Sequence, residues 1–261
     1  VSGLPAFKQY YRINKSKESL LTSIYNTDPV QNNRDTTIYS DVGAIILGDI
    51  VEKISGLNLD VFVDSMVFKP LGMNTTFYNP PGTKKHRIVP TEINSEGELI
   101  HGFVHDENAY SLGGVAGHAG LFSTAKDLAV FSQMMLNGGL YGWKRIFKTA
   151  TVNSFTSKAG ILDNSSRLLG WDSPAGLASG GVYLSDSSFG HTGFTGTSIW
   201  IDPVNGVIVV LLTNAVYPKR ESKSPKYYDW RQKVHSSVYE SLMFESKNPN
   251  LQLRPRWKNI N

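Results

Sequence analysis

The chain has 261 residues, 40% of them hydrophobic, with 26 Lys and Arg against 22 Asp and Glu for a net charge of +4. This suits one large domain or two intimately packed subdomains, and it is too apolar for global disorder. The basic residues form no stripe beyond short clusters such as Lys84-Lys85-His86-Arg87 and Lys219-Arg220, so nucleic acid is not an expected partner. With no cysteine, disulfides and thiol catalysis are excluded. The longest apolar run, 207–212, is far too short to span a bilayer.

In chain order, the opening VSGLPAFKQYY has no signal-peptide pattern and reads like the middle of a longer protein. DVGAIILGDIVEKISG is the first clear helix. Ser40 or Asp41 can cap it, Ile45, Ile46, Ile50, Val51 and Ile54 recur at roughly helical spacing, and Gly56 supplies the stop. A second helix is expected over 59–68, ended by Pro70 and Gly72. Residues 74–120 read mostly as loop, including the run LGGVAGHAG, and a loop of that length is usually functional. STAKDLAVFSQMMLNGG is another helix, with Thr124 and Asp127 as a capping box and Leu128, Phe131 and Met135 on its buried face. Beyond about residue 165, GGVYL, GTSIWID and GVIVVLLTN are strand-like, and DPVNG is the turn of a hairpin. Residues 226–245 read as a closing amphipathic helix.

Four groups of residues offer chemistry. Tyr39 sits just before a helix N-terminus, where positive potential favours a phenolate and a general-base role; a packing tyrosine at a loop–helix junction satisfies the local sequence as well. His191-Thr192-Gly193, at the entrance to the strands, offers a titratable donor, a hydroxyl and a backbone open to close approach; a solvated surface strand is the alternative. His101, His105, Asp106 and His118 share one loop-rich stretch, but the H-x3-H spacing binds zinc on a helix, and the glycines argue against a helix there. Ser123 and Lys126 form the one Ser-x-x-Lys. At about 100° per residue, Lys126 points away from the buried face, so Ser123 reads as part of a helix cap and not as a nucleophile.

Three stretches in this order, IYSDVGAIILGDIVEKISG, HDENAYSLGGVAGHAGLFSTAKDLAVFSQMMLNGG and FGHTGFTGTSIWIDPVNG, resemble the serine beta-lactamase and penicillin-binding protein superfamily, in its class C-like branch. They are similar to that branch's Tyr-x-Asn motif and following helix, its glycine-rich loop and helix, and its Lys-Thr-Gly strand. The resemblance implies an α+β, transpeptidase-like fold lacking its N-terminal part. A mainly helical subdomain (1–160) would lie beside an antiparallel sheet with a closing helix (161–261). It implies Tyr39, Asp41 and His191 as catalytic groups, with Tyr39 and His191 facing one cleft. Thr192, Gly193, Phe194, Gly114 and His118 would line the substrate, and the Phe194 amide would donate to an oxyanion. Asp41 stands where the family has asparagine. His191 stands where it has lysine, which makes the site's charge pH-dependent near neutrality.

The implied activity is hydrolysis of a small-molecule or peptide ester or amide through an acyl-enzyme, as in an esterase, D-alanyl carboxypeptidase or beta-lactamase, outside the cytoplasm and with no metal or organic cofactor. The Ser-x-x-Lys helix is expected upstream of Val1. The isolated chain is therefore expected to be inactive and to need a preceding segment or second chain to complete its sheet. A catalytically inactive penicillin-binding-like binding or regulatory protein is the alternative.

Overall fold

The computed structural model describes residues 2–13, 16–30, 37–158, 165–175, 179–223 and 226–253. The expected subdomain boundary at 160/161 lies outside the described residues. By backbone packing the chain falls into two compact units, Val1–Asp127 and Leu128–Asn261.

The first unit begins with a helix that the sequence pattern did not reveal, α1 (Lys17–Tyr25). The Ser16 side chain accepts from the Ser19 amide while the Ser19 hydroxyl answers the Ser16 amide, a capping box with serine where glutamate is usual. Helix α2 (Asp41–Ser55) follows the expected bounds, capped by Ser40 and stopped by Gly56 at φ 71°. Its buried face differs from the expected stripe. Val42, Ile45, Gly48 and Asp49 face inward, whereas Ile50 and Ile54 are exposed.

The second helix does not end before Pro70. Helix α3 (Leu59–Val63) runs through a π turn, Asp64–Phe68, into α4 (Lys69–Leu71), and Gly72 closes it. Proline removes one amide and crowds the preceding turn. Widening the helix by one residue per turn, with the Lys69 amide reaching Asp64 O, accommodates it.

The stretch read as loop carries short pieces of structure. These are β1 (Phe77–Tyr78), β2 (Glu92–Ile93), β3 (Leu99–Ile100) and α5 (Glu107–Ser111), with β4 (Leu121–Phe122) just after it; β1 pairs antiparallel with β4 and β2 with β3. The glycine-rich loop between α5 and β4 lies directly on α2. A Cβ at Gly117 would strike the Ala44 carbonyl, and one at Gly48 would come within 2.9 Å of the Gly117 amide. Only two glycines allow that approach. The core beneath comprises Tyr10, Leu20, Ile24, Val42, Ile45, Val104, Ala109, Leu112 and Ala116. Each large apolar side chain withdrawn from water here contributes about 1.5–3 kcal/mol.

Helix α6 (Ala125–Leu136) keeps its expected place. Thr124 Oγ1 accepts the Asp127 amide at 3.3 Å, which is half of the expected capping box. The Asp127 carboxylate goes elsewhere, accepting from the Thr75 amide and the Thr75 and Thr76 hydroxyls at 2.8–2.9 Å. On α6 the fully buried positions are Asp127, Ser132, Met134 and Met135, while Leu128 and Phe131 are half-buried. Lys126 is exposed, as its helical phase predicts.

In the second unit, β5 (Leu140–Tyr141) pairs with β6 (Lys144–Arg145), and α7 (Thr149–Thr156) follows. Among the described residues the main sheet has three antiparallel strands in the order β7 (Phe189–Thr192), β8 (Ser198–Asp202), β9 (Val207–Leu211). The hairpin turn forms as expected, with Asp202 Oδ1 accepting the amides of Val204 and Asn205. The segment GGVYL is not a strand. Its successive residues Val182, Tyr183 and Leu184 are all buried, with Trp200, Val207, Val209 and Tyr239 in one cluster. An apolar run whose every side chain is covered has no free face, and tertiary burial explains it without a ladder. Helix α8 (Lys226–Ser241) closes the unit.

Candidate active site

In the first unit the candidates gather around the start of α2. Ser40 Oγ accepts the Gly43 amide at 3.0 Å and donates to Pro5 O at 2.7 Å, and the Asp41 amide donates to Ala6 O at 2.9 Å. Ser40 and Asp41 are thus fixed to the opening segment. Tyr39, 51% exposed, precedes the positive end of the helix dipole. Asp41 is half-buried. Burial pushes its carboxyl above the ordinary range, the charge of His118 opposes this and that of Asp106 adds to it.

His118 and Asp106 are joined directly, with Nε2 2.8 Å from Oδ1. The His118 side chain is only 4% exposed, and its Nδ1 is buried with no hydrogen-bond partner among the described residues. Asp106 also caps α5, accepting the Ala109 amide at 2.8 Å. Burial opposes its charge. The hydrogen bond and charge of His118, with the amides of Ala109 and Asn108, outweigh that and hold the carboxyl below the ordinary range.

Gly114 is buried at φ 82°, and a Cβ there would collide with the side-chain amide of Asn79, which donates to Gly113 O at 2.7 Å. The glycine accommodates a protein side chain. Nearby, Tyr78 donates to Ala116 O at 3.1 Å, and burial, with the charge of Asp60, pushes its pKa up to about 12.

The histidines weighed for zinc are each committed to a different partner. His101 Nε2 lies 2.8 Å from Ile88 O, His105 Nε2 lies 2.5 Å from Glu92 Oε2, and His118 holds Asp106. Among the described residues no group of three or more such side chains could hold a metal ion. Ser123 Oγ lies 2.7 Å from Thr76 Oγ1, within the Thr75–Thr76–Asp127 network.

In the second unit, β7 carries His191 and Thr192. His191 pairs opposite Ile199 and Thr192 opposite Ser198, so the two successive side chains lie on opposite faces. On the far edge of β7, Asp172 exchanges both backbone hydrogen bonds with Gly190, at 2.7 and 2.9 Å. Gly190 has a packing cause, since a Cβ there would meet the Trp200 ring at 2.5 Å and the Ile199 carbonyl. Gly193 likewise leaves room for the Thr197 hydroxyl, and its amide bonds Thr197 O at 2.8 Å.

His191 is half-buried, with Nδ1 3.0 Å from Thr192 O. Burial lowers its pKa below 6.5, Asp172 opposes the fall and Arg167 reinforces it. Asp172 itself is raised by burial, against the pull of Arg167, whose Nε lies 3.1 Å from Oδ1. Phe194 is exposed, and its carbonyl accepts Lys223 Nζ at 2.6 Å. That ammonium also lies 4.8 Å from the Phe194 ring and 5.2 Å from that of Tyr228. A lysine charge is therefore anchored one residue past His-Thr-Gly. Sequence reasoning missed it, because Lys223 is 29 positions away and no motif contains it.

The two families of observation meet in comparison with known proteins. The family profile described as Beta-lactamase matches residues 1–232. The chain belongs to that family, within the serine beta-lactamase and penicillin-binding protein superfamily, and its α+β fold is the transpeptidase-like one. Relatives described as "Putative D-alanyl-D-alanine carboxypeptidase" from Salmonella gallinarum and Salmonella typhi are each 40% identical over 239 residues, covering 82% of this chain and 55% of theirs. The chain thus spans about half the length of the curated relatives it matches. A beta-lactamase from Mycobacterium bovis shares the fold at TM-score 0.59 and 19% identity, covering 83% of this chain and 68% of that one. A penicillin-binding protein homologue from Caulobacter crescentus does so at TM-score 0.63 and 14% identity, with coverages of 92% and 68%. Simvastatin synthase from Aspergillus terreus matches at TM-score 0.65 and 17% identity, covering 94% and 67%.

Proposed function

We propose that this chain belongs to the catalytic domain of a serine hydrolase that cleaves D-alanyl peptides as a carboxypeptidase, outside the cytoplasm. The observation that carries the reading is the 40% identity over 239 residues to relatives of that description. It is supported by Tyr39-Ser40-Asp41 at the start of α2 and His191-Thr192-Gly193 on β7. The nucleophile is a serine of a Ser-x-x-Lys helix supplied by a segment beyond these 261 residues. Its hydroxyl adds to the peptide carbonyl, Tyr39 relays its proton to the departing D-alanine amine, and water then hydrolyses the acyl-enzyme. The Phe194 amide donates to the oxyanion, and His191 and Thr192 hold the substrate. The scheme uses no metal or organic cofactor.

A second reading, a binding protein without turnover, is favoured by Asp41 in place of the family's amide. The deciding experiment incubates the longer gene product with a peptide ending in D-alanyl-D-alanine and measures released D-alanine. Release, slowed about 100-fold or more by Tyr39→Phe, supports the hydrolase. Tight binding with no release supports the second reading.

A further inference from the structure

The connection from β7 to β8, residues 193–197, is held carbonyl by carbonyl. Within it, the Gly193 amide donates to Thr197 O at 2.8 Å and the Gly196 amide to Gly193 O at 3.0 Å. The carbonyls between them accept from outside the turn. Phe194 O takes Lys223 Nζ at 2.6 Å, and Thr195 O takes the Ala215 amide at 2.7 Å. Gly196 O takes the Thr213 hydroxyl at 2.9 Å and the Tyr227 hydroxyl as well. Thr213 Oγ1 and Tyr227 Oη lie 2.7 Å apart. Every carbonyl of the turn thus has a donor, and the outside donors all lie between the end of β9 and the first turn of α8. Gly196 is where this clamp closes. Its φ is 119°, and a Cβ there would meet Thr213 Oγ1 at 2.6 Å, Tyr227 Oη at 2.9 Å and the Ala215 methyl at 3.0 Å. Glycine here makes room for the protein's own side chains. The Tyr227 ring is fixed in its turn, 5.8 Å from the Lys223 ammonium, 5.6 Å from the Arg231 guanidinium and 6.0 Å from the Tyr228 ring.

A hairpin connection of this length is set by its own turn and needs no outside donors. Gly193, however, lets its peptide plane with Phe194 rotate at little cost. Rotation would turn the Phe194 amide away from the substrate and present Gly193 O in its place. We propose that Thr213 and Tyr227 are positioning residues whose hydroxyls, with the Lys223 ammonium, preset the 193–197 turn and so the direction of the Phe194 amide. Holding Gly196 keeps its amide on Gly193 O, and that carbonyl shares one planar peptide unit with the Phe194 N–H. The donor is therefore aimed before substrate arrives, which is the condition under which a backbone amide stabilises a developing oxyanion. Both hydroxyls act through the turn, without contact with the substrate. This deepens the proposed function and rests on it for the role of the Phe194 amide.

The clamp and its catalytic consequence are read separately in the longer gene product. Tyr227→Phe and Thr213→Val each remove a hydroxyl with little change of shape. Amide exchange is followed by NMR on protein carrying isotope-labelled glycine. Both variants should speed exchange at Gly193 and Gly196 about 10-fold or more, while Gly48 in the middle of α2 exchanges as in the wild type. Both should also lower kcat for a peptide ending in D-alanyl-D-alanine about 10-fold or more, with KM unchanged within about twofold. Thr213→Ser keeps the hydroxyl and should keep wild-type exchange and kcat. Unchanged exchange at Gly196 in Tyr227→Phe and Thr213→Val overturns the clamp. Faster exchange with unchanged kcat, or an equal loss of kcat in Thr213→Ser, overturns the positioning role. If the wild type hydrolyses nothing, the proposed function fails, and exchange at Gly196 alone decides the clamp: faster exchange in the variants supports it, and unchanged exchange overturns it.

Discussion

His235 makes the second unit sensitive to acid. It lies on α8, fully buried, with Nε2 2.9 Å from Ser198 Oγ on β8 and Nδ1 without a hydrogen-bond partner among the described residues. Burial, with the charge of Arg231 one turn earlier, drives its pKa down to about 4 from 6.5. A histidine kept neutral by folding binds its proton more readily when unfolded. Stability is therefore complete above about pH 6.5, the unfolded value, and is lost as pH falls towards the folded value of about 4. At about 1.4 kcal/mol per pH unit the full loss is roughly 3 kcal/mol, of which about 2 kcal/mol is gone by about pH 5. That is a large share of the 5–15 kcal/mol typical of a domain. The assay is urea unfolding followed by fluorescence of Trp200, which sits in the same core, at about pH 7.5 and about pH 5. The comparison is with His235→Gln, whose amide reaches Ser198 but cannot titrate. The wild type should lose about 2 kcal/mol more than the variant over this interval. Parallel losses would refute the reasoning, because carboxylates elsewhere contribute equally to both.

Gly190→Ala places a methyl group 2.5 Å from the Trp200 ring and should destabilise the second unit by about 1–3 kcal/mol in urea melts; an unchanged midpoint would contradict the close approach. Asp127→Ala removes the acceptor of three hydrogen bonds from Thr75 and Thr76 and should cost on the order of 3 kcal/mol, whereas Lys126→Ala beside it should stay within about 0.5 kcal/mol and leave any hydrolysis intact. Because burial holds His191 below its ordinary pKa, its charge is present only on the acid side of that value. Affinity for a peptide carboxylate, measured as 1/KM, should therefore rise as pH falls below about 6.5, and His191→Lys should flatten the profile.

Much of this was legible where local chemistry and tertiary packing agree. Helix α2 announced itself through Ser40 and Gly56, and the β8–β9 hairpin through two strand-like runs and an Asp-containing turn. Helix α1 was hidden because its capping box uses Ser19 at the position where glutamate is the usual sign. Pro70 reads as a helix breaker, yet a π turn carries the helix past it, and no pattern of side chains encodes that choice. GGVYL reads as a strand through Val182 and Tyr183 yet forms none, since burial under Tyr239 and beside Trp200 replaces the ladder. The glycine-rich entrance to β7 suggested room for a ligand, and at Gly190 the occupant is Trp200. At the candidate site the motif residues were readable. The Asp106–His118 bond was not, because a short helix and a glycine-rich loop separate the pair and no periodicity links them.

The central claim is that hydrolysis depends on a lysine-activated serine outside these 261 residues. The most direct measurement is peptide mapping by mass spectrometry of the longer gene product after reaction with a slowly hydrolysed beta-lactam or activated ester. The account predicts one acyl group on the serine of a Ser-x-x-Lys sequence preceding residue 1, and no adduct on the 261-residue chain treated alone. An acyl group on Ser123, held by Thr76 at 2.7 Å, or on any other serine within residues 1–261, would contradict it.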